Sequence, residues 1–319
     1  MKTTMLALAL VSALSVLPAN AQPADDHSPV PPQGFDQIRA GIEKGQVERV
    51  EYAAPAVAEG FKRWMEVYTP PGYSPARKYP VLYLIHGAGQ TERDWVQSGR
   101  AQVILDNLVA DKMMEPIMVV FPNGNATTNT AAGRAGAGGP PGGPGAIPGA
   151  TNNAAAGRRG GGGGLLGEGS GRNFENDLLK DIIPYIESHY SVQADARHRA
   201  LAGLSLGGMQ TRSLAPAHSD KFSYFGVFSG GNLRPENLTD PAAFKQNVKL
   251  VFMSFGSRES SAPRGGGPLP SGPEGIKLAA DALNTAGIKA TCYVSPNSAH
   301  DFTSWKRSLY YFAPLLFKD

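Results

Sequence analysis

The residues best suited to chemistry lie in the run Arg199–Met209, RALAGLSLGGM. An apolar stretch of strand character enters Gly203-Leu204-Ser205-Leu206-Gly207, and a helix-like stretch follows. This is the G-x-S-x-G pattern of a nucleophile elbow, in which a strained strand-to-helix turn exposes a serine hydroxyl above the sheet. Small residues two positions to either side let strand and helix approach. The backbone N–H after the serine, that of Leu206, points to where an oxyanion would form. In a chain with 39 glycines the bare pattern can also be an ordinary turn. The strand–turn–helix context selects Ser205 as candidate nucleophile.

A serine needs a base, and the base needs an orienting acid. Of six histidines, His27 falls in a leader, His189 ends a helix, His198 sits at the wrong end of the elbow strand and His218 lies past the elbow helix. His300, in NSAHDF (297–302), follows the last expected strand, at the carboxyl end where open α/β sheets build their sites. It alone gives the chain order Ser…acid…His. The acid should then follow a strand between the two, and Leu250–Phe255 (LVFMSF) runs directly into Gly256-Ser257-Arg258-Glu259. Glu259 is the candidate, because Asp281 belongs to a later helix and Asp301 is too close in sequence to His300. The plainer alternatives are a solvent-exposed loop histidine and a solvated surface glutamate.

A second oxyanion donor is expected upstream, in the turn after an apolar strand at Leu84-Ile85-His86-Gly87-Ala88-Gly89. Ala88 is the candidate, with Gly89 in reserve. His86 reads as a brace for this loop rather than a base. With Gly89 it also counts among the residues that could touch substrate. No pair of histidines has metal-ligand spacing, so a zinc hydrolase is disfavoured, and serine chemistry of this kind implies no metal or organic cofactor.

These residues need a scaffold. Strands are expected at Val47–Ala53, Arg63–Thr69, Pro80–His86, Ile117–Pro122, Arg199–Gly203, Tyr224–Ser229, Leu250–Phe255 and Ala290–Val294. Continuous apolar runs such as VLYLI (81–85) suit strands buried on both faces of a mostly parallel sheet. Helices are expected at Arg100–Asp111, Phe174–Tyr190, Gly208–His218, Pro241–Gln246, Pro273–Ala286 and Ser304–Phe317. In the second, Phe174, Leu178, Ile182 and Ile186 form a buried stripe, Asn173 a cap and Pro184 a kink. Alternation of this kind implies one α/β domain, a mostly parallel central sheet flanked by helices, over residues 45–319.

The chain has 319 residues, 30 Lys+Arg against 27 Asp+Glu, and 41% hydrophobic residues. That excludes wholesale disorder and a dedicated nucleic-acid binder. A single Cys292 can form no internal disulfide. Met1–Ala21, with Lys2, an apolar run Met5–Leu17 and small residues Ala19 and Ala21, has the anatomy of a cleaved signal peptide. Export to a bacterial periplasm or medium is expected, with no integral membrane segment after cleavage. Residues 22–44 read as a flexible leader. From Ala131 to Arg172, 17 glycines in 42 residues read as a disordered insertion.

Taken together, YLIHGAGQTERDW (83–95), VVFPNGN (119–125), FENDLLKDIIPYIESHY (174–190), RALAGLSLGGMQT (199–211) and SAHDFTSWKRSLYYFAPLLF (298–317) resemble the esterase D / feruloyl esterase group of α/β-hydrolases, the carbohydrate esterase family 1 type. The resemblance covers nearly all of the chain from about residue 45, apart from the insertion. It implies an α/β-hydrolase fold and a serine esterase acting through an acyl-enzyme. It also implies oxyanion donors at Ala88 and Leu206 and a binding role for Trp95 near the cleft. Feruloyl or acetyl esters of plant polysaccharide are the implied substrates, with siderophore esters, acyl transfer, a peptidase activity or a catalytically inactive binding protein as alternatives. The group's acid is commonly an aspartate, where this chain has Glu259.

Overall fold

The computed structural model describes residues 28–126, 170–259 and 272–318. The expected signal peptide, the start of the leader and the insertion up to residue 169 lie outside them. Eight strands form one sheet: β1 Gln46–Ala53, β2 Lys62–Thr69, β3 Val81–Ile85, β4 Met118–Pro122, β5 Arg199–Leu204, β6 Tyr224–Phe228, β7 Leu250–Gly256 and β8 Ala290–Ser295. Their spatial order is β1-β2-β4-β3-β5-β6-β7-β8. The pairings β1 with β2 and β2 with β4 are antiparallel, and the rest are parallel.

Every residue of β3, β4, β5, β6 and β7 is buried, as continuous apolar runs require when helices cover both faces. Side chains alternate between two cores. Tyr83, Ile85 and Phe225 join Phe174, Leu178, Ile182 and Ile186 on one face. Leu82, Leu84 and Phe228 join Ile104, Leu108, Leu309 and Phe312 on the other.

Four details depart from the sequence reading. Helix Ser170–Asn176 starts before Asn173, so Asn173 is no cap, and residues 170–172 are helical rather than part of an insertion. The irregularity expected at Pro184 takes the form of a π-helical stretch, Asp177–Ile182, immediately before it. A proline offers no N–H to the preceding turn, and the wider turn accommodates that loss. A short helix, Asp94–Gln97, was not anticipated.

The described part of the leader, residues 28–44, is tied down rather than flexible. Pro29 accepts from the Tyr293 hydroxyl at 3.1 Å, Asp36 pairs with Lys306 at 2.6 Å, and Phe35 meets Tyr310 edge-on. Asn107 donates to the Phe35 and Gln37 carbonyls at 2.9 and 3.0 Å. These contacts come from isolated side chains with no periodicity. No helix among the described residues is long and apolar enough to cross a membrane.

Candidate active site

β5 ends at Leu204 and the helix Leu206–Leu214 begins two residues later. Ser205 is the whole of the turn, at φ 51° and ψ −112°, a conformation that non-glycine residues hold only under strain. The flanking glycines make this possible. A Cβ on Gly203 would run into the Gly207 backbone, and one on Gly207 would stand 2.5 Å from the His86 carbonyl oxygen.

The structure brings Ser205, His300 and Glu259 together. Ser205 Oγ lies 2.7 Å from His300 Nε2, and His300 Nδ1 lies 2.7 Å from Glu259 Oε2. A carboxylate can only accept, so Nδ1 carries the imidazole proton and Nε2 is left to accept from the serine hydroxyl. The Glu259 side chain is 6% exposed against 43% for His300, so the acid is sheltered and the base faces solvent. Asp301 instead caps the helix Phe302–Phe312, accepting from Thr303 and Ser304. Asp281 pairs with Lys277.

The loop after β3 closes over the elbow. The Gly207 N–H donates to the His86 carbonyl at 3.1 Å. A Cβ on Gly87 would lie 3.2 Å from Ser205 Cβ, so only glycine lets this loop approach. The next residue, Ala88, is exposed. Among the described residues, neither the Ala88 nor the Leu206 N–H donates to a protein group. Leu206 opens its helix, where unpaired N–H groups carry a partial positive charge.

Two candidate substrate contacts need correction. Trp95 is fully buried, its indole N–H donating to the Ile85 carbonyl at 3.0 Å and its ring packed against Phe228 and Phe302. His86 is also buried. Its Nδ1 bonds the Gly87 carbonyl at 2.8 Å and its Nε2 accepts from the Gly124 N–H at 3.0 Å. Burial holds its pKa below the ordinary value, and a ring that accepts at Nε2 is the neutral imidazole, bracing two loops. Gly89, at φ 72°, stays exposed beside Ala88. The other described histidines are accounted for locally: His189 stacks on Tyr185, His198 pairs with Asp195, and His218 pairs with Glu175.

Several supporting residues escape sequence reasoning. Ser229, the residue after β6 and itself at φ 51°, donates to Glu259 Oε1 at 2.7 Å. The Gly256 N–H donates to the same oxygen at 2.7 Å. Trp305 donates its indole N–H to Ser229 Oγ at 2.9 Å and meets the His300 ring edge-to-face at 5.1 Å. On the opposite side the Asn123–Asn125 turn is clamped. Buried Arg63 reaches the Asn123 and Asn125 carbonyls and pairs with Asp177 at 2.9 Å. Gln210 holds the Gly124 carbonyl, and Glu92 accepts from Asn123 at 2.9 Å. The only sequence signal for these was position: Ser229 ends a strand as the candidate acid does.

A mostly parallel sheet flanked by helices, with a serine elbow at the end of a central strand and a histidine at the end of the last, defines an α/β-hydrolase. Residues 59–143 and 166–262 match the profile of the esterase family described as "Putative esterase", and the chain belongs to that family. It is 33% identical over 295 residues, 91% of this chain, to an endo-1,4-beta-xylanase/feruloyl esterase of Xylanibacter ruminicola. It is 27% identical over 52% of its length to endo-1,4-beta-xylanase Y of Acetivibrio thermocellus. The chain spans only 34% and 13% of these two relatives. A ferulic acid esterase of the anaerobic fungus Anaeromyces mucronatus shares the fold, with a TM-score of 0.66, 21% identity, and coverage of 90% of this chain and 96% of that one.

Proposed function

We propose that this chain is an exported serine esterase that hydrolyses carboxylic esters through an acyl-enzyme, with feruloyl or acetyl esters of plant polysaccharide as the substrate class. One observation carries the reading: the unbroken relay from Ser205 Oγ through His300 to Glu259, each step 2.7 Å. In this reading His300 Nε2 takes the Ser205 proton as Oγ attacks the ester carbonyl. The negative charge moves to the carbonyl oxygen, where the Ala88 and Leu206 N–H groups receive it. Glu259 stabilises the imidazolium. Collapse breaks the bond to the alcohol, which leaves with the proton from His300. Water then repeats the sequence on the acyl-enzyme, and the acid is released.

Kinship with a xylanase/feruloyl esterase supports the substrate class, and the apolar Met5–Leu17 run with Ala19 and Ala21 supports export. The test is a panel of methyl ferulate, p-nitrophenyl acetate and acetylated xylan, with fluorophosphonate labelling of the parent and of Ser205→Ala. Turnover of at least one ester and labelling that Ser205→Ala abolishes are expected. Labelling that persists in Ser205→Ala, or an unlabelled and inactive parent, sinks the reading.

A further inference from the structure

Beside the elbow helix lies a pair of arginines that the chemistry above does not use. The helix Leu206–Leu214 buries Leu206, Gly207, Gly208, Gln210, Thr211 and Leu214. Its outer face carries Met209, Arg212 and Ser213. The segment after β6 runs along this face. A Cβ on Gly230 would stand 2.6 Å from the Met209 nitrogen, and one on Gly231 3.2 Å from Arg212 Nε. Three residues later the chain reaches Arg234.

Among the described residues, Arg212 has no counter-charge and Arg234 has only an exposed one, Glu236. Among the described residues Arg212 forms no hydrogen bond and no ion pair, and its Nε is buried without a partner. Arg234 Nε is likewise buried and unpartnered. Its carboxylate neighbour, Glu236, stands 3.8 Å away and is 63% exposed, whereas the Arg234 side chain is 15% exposed. Burial, and then the charge of Arg234, holds the Arg212 pKa below its ordinary value. Buried guanidinium nitrogens without acceptors, held beside a like charge whose carboxylate neighbour is solvent-exposed, are costly. An anion between them would remove both the repulsion and the unmet hydrogen-bonding capacity.

We propose that Arg212 and Arg234 form an anion subsite for a carboxylate carried on the substrate, that of an acidic sugar near the scissile ester. The proposal rests on the esterase reading above. Arg212 sits in the elbow helix seven positions after Ser205, and its guanidinium lies against Gly231, two residues after Ser229. At a rise of about 1.5 Å per residue it stands roughly 10 Å along the axis from the nucleophile. That is too far to touch the reacting carbonyl and close enough to hold a neighbouring saccharide. The stretch from Ser229 to Arg234 also joins this pair to the residue that bonds Glu259.

The experiment compares two feruloyl esters that differ only in whether the saccharide carries a uronic acid carboxylate. The parent should favour the acidic ester by about tenfold in kcat/KM at low salt, and the preference should shrink as ionic strength rises. Arg212→Gln and Arg234→Gln should each bring the ratio of acidic to neutral ester near one, with Arg212→Lys retaining part of it. A parent ratio near one, or a ratio untouched by both glutamine variants, overturns the proposal. A second arm titrates Ser205→Ala protein with the acidic oligosaccharide, its neutral counterpart, sulfate and phosphate. Tighter binding of the acidic oligosaccharide than of the neutral one supports the subsite. Binding of the inorganic anions without that difference overturns the assignment to substrate. Because this arm needs no turnover, it still decides the subsite if the esterase reading itself fails.

Discussion

Ser229 and Glu259 are thirty positions apart in sequence, on loops after adjacent strands, and their side chains meet at 2.7 Å. Glu259 is thereby held at both oxygens, Oε1 by Ser229 and the Gly256 N–H, Oε2 by His300. Ser229→Ala removes a hydrogen bond to a carboxylate and leaves the Trp305 indole N–H without its acceptor. The expected loss is about 1–2 kcal/mol of transition-state stabilisation, roughly 5–30-fold in kcat, with KM little changed. Steady-state kinetics on methyl ferulate would show it, and an unaltered kcat would mean that the carboxylate holds its place unaided.

Removing the acid's charge should cost more. Glu259→Gln should lower kcat by roughly 10²–10⁴, less than Ser205→Ala at roughly 10⁴–10⁶. Glu259→Asp should recover only part, because retraction by one methylene misplaces the carboxylate by about an ångström. A fully active glutamine variant would assign the orientation of His300 to another group.

The Arg63–Asp177 pair separates stability from turnover. Arg63 is 7% exposed and the Asp177 side chain fully buried. Burial raises the Asp177 pKa to about 6 even with Arg63 beside it. Arg63→Leu alone should cost about 3–5 kcal/mol, because it strands the carboxylate, and Arg63→Leu with Asp177→Leu should recover most of that. Turnover should stay low in the double variant, since nothing then clamps the Asn123 and Asn125 carbonyls. Denaturant melts and kinetics on the same three proteins decide it; full activity in the double variant would remove the clamp from the account.

Glu66 gives the stability a pH dependence. It lies on β2, 7% exposed, with Arg93 Nε 3.7 Å from one oxygen and, among the described residues, no hydrogen-bond partner for the other. Burial, partly offset by Arg93, raises its pKa from 4.5 to about 7. Between those values the folded chain keeps a proton that the unfolded chain has released. Stability from this group is therefore full below about pH 4.5 and is lost as pH rises through 7. Glu66→Gln should melt higher relative to the parent at pH 8 than at pH 5. An equal offset at both pH values would show that Glu66 ionises normally.

All eight strands could be read from the chain to within a residue or two, because five are wholly buried and mostly apolar and turn residues bound them. The residues of the triad could be proposed for a related reason: each sits directly after a strand, and chain order left one histidine and one carboxylate. What could not be read is what those residues lean on. Ser229 and Trp305 are 76 positions apart, and Arg63 and Asn123 are 60. Such pairs leave no periodicity, and only the sheet order brings them together. Trp95 misled for the opposite reason, since an aromatic beside a catalytic loop serves equally well as a wall of the core.

The unpatterned segment before β1 spans the molecule. It bonds Tyr293 of β8 through Pro29 and, by Gly45, has reached Asp106 and the start of β1. Those are the two edge strands, seven places apart in the sheet. The segment therefore acts as a mechanical strap that couples the opening of one edge to the opening of the other. A chain begun at Gly45 would keep every strand and lose that coupling. Amide hydrogen exchange should then rise in β8 and in the helix Phe302–Phe312 before it rises in β5, so the helix that follows His300 would be among the first elements to loosen.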